Sequence, residues 1–303
     1  QNGIKVTAYD KKDFDALGSV GKEFEELGCN LVLGDGYLDN ISADLIFRSP
    51  GIRPDIPAIL SAVEKGAELT SEMEVFLKLC PCKVFAVTGS DGKTTTTTII
   101  SEILKADGKN VYVGGNIGTP LLDKVSDMTP DDVCVLELSS FQLMTIRKSP
   151  DYVVITNVSP NHLDIHKDMQ EYVDAKKNIF INVPHPKTVV LNADNDITRS
   201  FAKETGTETR FFSRIDPVEN GAYVEDGNIF VSKYGKSEKI MPVSDIFLPG
   251  VHNIENYLAV FALLFDMVSK ESMVKTAKSF AGVEHRIEFV RELNGVKYYN
   301  DSI

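Results

Sequence analysis

The residues best able to do chemistry stand at Thr88-Gly89-Ser90-Asp91-Gly92-Lys93-Thr94. Two glycines let a backbone turn tightly and aim N–H groups inward. Lys93 can reach a β- or γ-phosphate, and the Thr94 hydroxyl can ligate Mg²⁺. The pattern T-G-x-x-G-K-T is a short form of the phosphate cradle. The commoner loop has a further glycine five residues before its Gly-Lys pair, and Val87 stands there. Glu137, at the end of the apolar run Val133-Cys134-Val135-Leu136, is placed where a carboxylate could share the Mg²⁺. His162 and His166 are four apart, but the stretch follows a strand and holds Pro160, so a loop is expected and not a helical metal pair. His162 alone could ligate a metal or orient a substrate.

These groups need elements to hold them. Val84-Phe85-Ala86-Val87 reads as a buried strand, and Ile99-Ile100-Ser101-Glu102-Ile103-Leu104 carries helical spacing after the threonine run that includes Thr95. A helix starting at the loop adds partial positive charge for an anion. Asn110–Gly118 is a strand running into a glycine-rich loop with Asn116 and Gly118. Tyr152–Val158 is another buried strand. Residues 171–180 read as an amphipathic helix, in which one inward-facing lysine of Lys176 and Lys177 would be notable and two solvent-facing ones ordinary. Residues 210–241 are β-rich, with turns at Asn220-Gly221 and Asp226-Gly227, and predict an antiparallel patch at the edge of a parallel sheet. A long apolar helix is expected from about Leu248 to Val268. On it Asn253 and Asn256 share a face and could hold a base or ribose, or simply cap the helix.

Residues 1–80 alternate short strands (Val6–Tyr9, Leu31–Leu33, Ala43–Phe47) with helices within Phe14–Leu27, over Pro57–Lys65 and near Ser71–Leu79. Such alternation argues a parallel sheet with helices on both faces, whose ligands sit beyond the C-terminal strand ends. That rule points to Asp10-Lys11-Lys12 and to Ser49-Pro50-Gly51. An acid and two lysines could hold a ribose and a phosphate, or be a solvated turn. The expected fold is thus α/β in three parts: a Rossmann-like first domain over 1–80, a P-loop-type domain over 81–283, and from 284 to 303 an Asn294-Gly295 hairpin that opens a third domain. Both ends read as cut, with a strand-helix unit expected before residue 1.

At 303 residues with 43% apolar content, two or more domains with ordinary cores are expected. A net charge of −12 argues against a nucleic-acid surface. No stretch approaches the ~18 to 20 apolar residues that span a bilayer, and no leader-like segment is seen, so the expected location is cytoplasmic. Cys29, Cys80, Cys82 and Cys134 look scattered, without metal spacing, and read as reduced thiols.

In this order, T-G-S-D-G-K-T at 88–94, G-N-I-G at 115–118, E-L-S-S-F-Q-L at 137–143, N-V-S-P-N-H-L-D at 157–164, Y-V-D-A-K at 172–176, H-N-I-E-N at 252–256, H-R at 285–286 and N-D-S at 300–302 resemble the Mur ligase family. The S-S-F-Q-L run and S-P-G-I at 49–52 are most similar to the member that joins D-glutamate to UDP-N-acetylmuramoyl-L-alanine in peptidoglycan synthesis. The resemblance implies ATP and two Mg²⁺ ions, an acyl-phosphate intermediate, a monomer, and no nucleic-acid or membrane partner. By the same resemblance Gly89, Ser90, Asp91, Gly92, Lys93, Thr94, Thr95, Asn253, Asn256, Arg286 and Asp301 face ATP. Thr94, Glu137, His162 and Lys176, the last as an N-carbamate, hold the metal. Asp10, Lys11, Lys12, Ser49, Pro50 and Gly51 lie on the UDP side, and Asn116, Gly118, Ser139, Gln142 and His162 on the muramoyl side. The alternatives are another Mur or folylpolyglutamate-type amide ligase, or a truncated nucleotide-binding fragment without turnover.

Overall fold

The computed structural model describes residues 3–283 and 288–300. The chain divides into two compact units, residues 1–70 and 71–303.

In the first unit β1 (Thr7–Asp10) is followed by α1 (Phe14–Leu17), α2 (Ser19–Glu26) and β2 (Asn30–Leu33). Asp13 caps α1 by accepting from the Ala16 amide at 2.8 Å, and Gly18, at φ 58°, breaks what would otherwise be one helix. β3 (Leu45–Phe47), α3 (Pro57–Glu64) and β4 (Glu68–Thr70) repeat the pattern. Pairing is parallel, β1 with β2 and β3 with β4, but the four strands form two separate pairs where one sheet was expected. The strands are only three or four residues long, and Val32, Leu45 and Phe47 stay exposed, so little apolar surface is available to fuse the pairs.

The second unit begins ten residues earlier than the composition suggests. The helix α4 (Glu72–Leu79), capped by Ser71, sinks Met73, Phe76 and Leu77 into this unit's core. There follow β5 (Lys83–Thr88), α5 (Lys93–Ala106), β6 (Val111–Gly115), β7 (Val133–Glu137), α6 (Ser140–Leu143), β8 (Tyr152–Ile155), α7 (Met169–Lys177), β9 (Thr188–Asn192) and α8 (Asp196–Ser200). Then come β10 (Glu208–Ser213), β11 (Gly221–Glu225), β12 (Asn228–Lys233), β13 (Lys236–Pro242), α9 (Val251–Leu264) and α10 (Lys270–Ser279). Nine strands make one sheet in the order β13-β12-β11-β10-β9-β8-β5-β7-β6. It is parallel from β6 to β11, and only β11-β12-β13 are antiparallel. The antiparallel patch therefore starts later than the β-rich composition predicts: β10 pairs parallel on both sides, which turn residues alone do not reveal.

Both faces of this sheet are covered, which is why its strands read as unbroken apolar runs. Along β5, Phe85 and Val87 point into a core shared with Ile99, Ile100 and Ile103 of α5 and Tyr257–Leu264 of α9. Val84 and Ala86 point into the opposite core, with Phe76 of α4 and Tyr172 of α7. Every residue from Asn256 to Leu264 is buried, so α9 is apolar all round and needs no amphipathic stripe.

The hairpin β14 (Glu288–Leu293) and β15 (Val296–Asn300) is antiparallel, with Asn294 at φ 54° and Gly295 at φ 78°, the paired positive φ that a tight two-residue turn requires. Arg286 and Asp301, expected on the nucleotide and the hinge, lie outside the described residues.

The strand order reverses at β5. The chain leaves it for the edge strand β6, returns to β7, then crosses to β8 on the other side. The C-terminal ends of β7, β5 and β8 therefore open side by side at a topological switch point, the usual ligand position in such sheets.

Candidate functional site

The loop between β5 and α5 is shaped by close approach. Gly89 has φ 152°, and a Cβ there would lie 1.9 Å from Thr156 Oγ1. Gly92 has φ 77°, and a Cβ there would lie 2.4 Å from Asn256 Oδ1. Gly92 is also the N-cap of α5 and offers no side-chain cap, so the first-turn amides of a 14-residue helix have no capping side chain, as an anion site needs. The loop is tied to the segment after β8. The Ser90 amide donates to Asn157 O (2.9 Å), the Asp91 amide to Asn157 Oδ1 (2.9 Å), and Thr156 Oγ1 to Asp91 O (2.6 Å). Ser90 Oγ meets Tyr172 Oη at 2.9 Å and accepts from the Ser159 amide at 2.9 Å.

Lys93 Nζ donates to Ser90 O at 2.9 Å, lying across its own loop. Thr94 Oγ1 donates to Glu137 Oε2 at 2.7 Å, and Asn116 Nδ2 donates to Glu137 Oε1 at 2.8 Å. Glu137 is buried on the last residue of β7, and the backbone amide of Asn116 also donates to its carbonyl. Thr95, in the first turn of α5, is half-buried. Asn116, expected on the substrate side, thus stands directly on the carboxylate. Gly118, at φ 76°, closes the turn behind it, with Val113 O only 2.8 Å from where a Cβ would be.

Lys176 is the buried lysine of α7, 1% exposed, while its neighbour Lys177 pairs with Glu204 outside. Its Nζ donates to Gly89 O at 2.8 Å and lies 4.5 Å over the Tyr172 ring. Burial, and then the nearby Lys93 ammonium, push the Lys176 amine down to about 7 against the opposing pull of Asp91. An uncharged amine is therefore abundant there near neutral pH.

His162 and His166 sit in the loop after β8, not on a helix. His162 has φ 55° and is exposed, its ring edge-on to Phe141 at 5.2 Å. His166 is buried instead, with Nε2 2.9 Å from Ser140 Oγ, Nδ1 3.4 Å from Glu171 Oε2 and its ring stacked on Phe141. It anchors the loop that presents His162, a role that its sequence spacing does not disclose. Ser139 and Gln142 form a reciprocal capping box on α6: Ser139 Oγ accepts from the Gln142 amide, and the Ser139 amide donates to Gln142 Oε1 at 3.0 Å.

On α9, Asn256 Oδ1 accepts from Thr96 Oγ1 at 3.2 Å and its Nδ2 donates to Asn253 Oδ1 at 3.1 Å, while Asn253 Nδ2 donates to Pro249 O. The pair does more than cap: Asn256 borders Gly92. A small cleft of about 110 Å³ opens there, lined by Asp91, Gly92, Thr156, Asn157, Phe212, His252, Glu255 and Asn256. Phe212 escapes sequence reading because it is one apolar residue of a buried strand, with nothing in its type to mark it as lining a cleft.

In the first unit Asp10 ends β1 and accepts from the Lys12 amide at 2.8 Å, with Lys11 and Lys12 exposed. Ser49, Pro50 and Gly51 turn around Arg48, which is buried. Its guanidinium donates to Ser49 O (3.3 Å), Pro50 O (3.2 Å) and Ile52 O (2.5 Å). The sequence does not disclose these bonds of Arg48, since backbone carbonyls carry no residue signature.

The cysteines correct an expectation. Cys80, Cys82 and Cys134 are gathered, with Sγ–Sγ distances of 3.2 to 3.7 Å, and only Cys29 lies apart. Neighbouring strands bring together residues 52 apart in sequence, which spacing rules cannot show.

Residues 87–264 match the family model of the Mur ligase middle domain. A protein of Ruminiclostridium cellulolyticum named UDP-N-acetylmuramoylalanine--D-glutamate ligase is 54% identical over 302 residues, covering 99% of this chain and 65% of that protein. One of the same name from Acetivibrio thermocellus is 54% identical over 303 residues, again covering 65% of its length. The chain thus spans 65% of the length of these curated relatives. Among solved structures, a UDP-N-acetylmuramoyl-L-alanyl-D-glutamate--2,6-diaminopimelate ligase aligns with a TM-score of 0.61 at 16% identity, over 96% of this chain and 63% of that one. The UDP-N-acetylmuramate-alanine ligase of Thermotoga maritima aligns with a TM-score of 0.57 at 23% identity, over 94% and 66%. These structures share the fold, and the family model spans more than half of the residues described above: the chain belongs to the Mur ligase family.

Proposed function

We propose that this chain is the nucleotide- and UDP-substrate-binding part of an ATP-dependent ligase that joins D-glutamate to UDP-N-acetylmuramoyl-L-alanine in peptidoglycan synthesis. The observation that carries this reading is the convergence of Lys93, Thr94, Glu137 and Lys176 on one glycine loop. The names of the relatives at 54% identity supply the amino acid. In such a reaction the γ-phosphoryl of ATP passes to the substrate carboxylate, giving an acyl phosphate and ADP. The amine of D-glutamate then attacks the acyl carbon, an amide forms and phosphate leaves.

Two anions must be brought together, so alignment and charge neutralisation matter more than a protein nucleophile. The amides from Gly92 into the first turn of α5 hold phosphate oxygens, and Lys93 turns from Ser90 O towards the β/γ-phosphates. Asn253 and Asn256, with the cleft beside Gly92, take the adenosine side. Thr94 and Glu137 are hard oxygen donors set side by side, a donor set that fits Mg²⁺. His162 and a carbamate on Lys176 would hold a second ion. Bound magnesium would neutralise the phosphate oxygens and keep them in line. Asn116 orients the Glu137 carboxylate, and the Ser139–Gln142 box fixes the loop on the muramoyl side. Asp10, Lys11, Lys12 and Ser49–Gly51 serve the UDP moiety in the first domain (residues 1–70), followed by the ATP domain (71–283) and the opening of the amino-acid domain (284–303). Arg286 and Asp301 would complete the nucleotide site. The reading places the protein in the cytoplasm as a monomer with no nucleic-acid or membrane partner. Among the described residues no helix is long and apolar enough to cross a membrane.

The deciding assay gives the protein, extended to the length of its relatives, MgATP, UDP-N-acetylmuramoyl-L-alanine and a panel of amino acids. Phosphate release is expected with D-glutamate and not with glycine, L-lysine or diaminopimelate. Preference for another amino acid would move the protein to a different Mur or folylpolyglutamate-type ligase. Calorimetric binding of ATP and UDP-sugar without turnover would favour a binding fragment.

Gly92→Ala tests the loop in the 303-residue chain itself. The substitution is strained at φ 77° and collides with Asn256 Oδ1. At about 1–3 kcal/mol for a residue forced into this region, ATP affinity by calorimetry is expected to fall about five- to a hundredfold.

A further inference from the structure

The site above leaves one group of reactive side chains unused. Cys80 follows the last turn of α4, Cys82 stands one residue before β5, and Cys134 lies on β7 opposite Val84 of β5. Their sulfurs form a triangle with sides of 3.3 Å (Cys80–Cys82), 3.2 Å (Cys82–Cys134) and 3.7 Å (Cys80–Cys134). The thioether of Met128 lies 3.8 Å from Cys134 Sγ. Among the described residues no other three His, Cys, Asp or Glu side chains converge in this way. The triangle sits at the N-terminal ends of β5 and β7, away from the phosphate loop and Glu137 at their C-terminal ends.

We propose that Cys80, Cys82 and Cys134 form a three-thiolate site for a thiophilic d¹⁰ cation of the zinc class. Thiolates select such ions over the hard Mg²⁺ of the phosphate site, so the two sites do not compete for one metal. Zinc–sulfur bonds of about 2.3 Å in a tetrahedron put sulfurs roughly 3.7–3.8 Å apart, so small side-chain rotations open this triangle to fit. A disulfide would use two of the sulfurs and strand the third, whereas one cation uses all three. Cys82 and Cys134 are buried and Cys80 is half-buried, which leaves a route in from solvent and a fourth position for water. Binding exchanges three thiol protons for one dication, leaving a single net negative charge, and the Lys148 ammonium is nearby to offset it. A bound ion would tie α4 to the two strands that carry Lys93 and Glu137 to their places.

The test is a titration of the reduced, metal-free chain with Cd²⁺, followed by zinc competition. One Cd²⁺ per chain with the ultraviolet charge-transfer band of thiolate ligation is expected, displaced by zinc and unchanged in Cys29→Ala. Cys80→Ala and Cys82→Ala, checked as folded by circular dichroism, are each expected to weaken zinc at least about thirtyfold, since even outer-shell changes cost about 10–100-fold. Absence of the charge-transfer band, or undiminished zinc affinity in both folded variants, would overturn the site. So would a reduced chain that takes up no metal and instead forms a Cys82–Cys134 disulfide in air.

Discussion

Lys93→Ala is expected to lower ligase turnover by about a hundred- to a thousandfold, the range for losing one preorganised electrostatic stabiliser. The ammonium is half-buried at the first position of α5 and rests 2.9 Å from Ser90 O, within the loop that would wrap the phosphates. Phosphoryl transfer between two anions depends on positive charge where oxygen charge gathers in the transition state. The loss should therefore fall mainly on kcat, with KM for ATP moving less, because the first-turn amides of α5 and the adenosine cleft still bind ground-state nucleotide. Lys93→Arg should not restore the rate, since a planar fork cannot replace a compact ammonium in a loop drawn this tightly. There is a second consequence. Lys93 helps to push the Lys176 amine down, so its removal raises the proton affinity of Lys176 and leaves less free amine at neutral pH. Initial-rate phosphate release from variants made in the full-length ligase is the measurement, and near-parental turnover would remove Lys93 from the mechanism.

What the sequence disclosed and what it hid follow from how far each contact reaches along the chain. The phosphate loop is local: strand, two glycines, Lys-Thr and helix are contiguous, so their order alone predicts the geometry around Lys93. The partnership of Thr94 with Glu137 was legible because a strand end is a fixed place in a parallel sheet. Lys176 was legible only as one of two adjacent lysines. An amphipathic pattern on a nine-residue helix does not say which of them turns inward, and the family resemblance supplied that choice. The parallel pairing of β10, the split of the first unit's strands into two pairs and the gathering of three cysteines depend on which strands become neighbours. No local pattern encodes that. The roles of Arg48 and His166 were hidden for a related reason, since both act by holding loops through backbone or hydroxyl partners met only in the folded chain.

Lys176 yields the prediction with the sharpest chemical signature. Its amine is buried, sits about 7, and faces the loop carbonyl of Gly89 near a second lysine. As an ammonium it would repel a metal ion held by Thr94 and Glu137. As a free amine it can add CO₂, forming an N–C bond and releasing one proton, and the product carries one negative charge shared over two oxygens where a cation is needed. The sign follows from the lowered value: about a tenth of the lysine is free amine at pH 6 and about nine-tenths at pH 8, so carbamate formation rises with pH through this window. Turnover in CO₂-stripped buffer is accordingly expected to be low and to recover on adding bicarbonate, with the larger relative gain near pH 6. Lys176→Ala should lose at least about a hundredfold in turnover and all bicarbonate response, because an alanine has no nitrogen to carry the group. Lys176→Arg should behave alike, as a guanidinium stays protonated and does not add CO₂. Carbon-13 spectra of protein equilibrated with labelled CO₂ read the adduct directly. A parental protein that shows no carbamate resonance and turns over fully without CO₂ would leave Lys176 as a buried amine that fastens the loop through Gly89, and the second metal position would then need another donor.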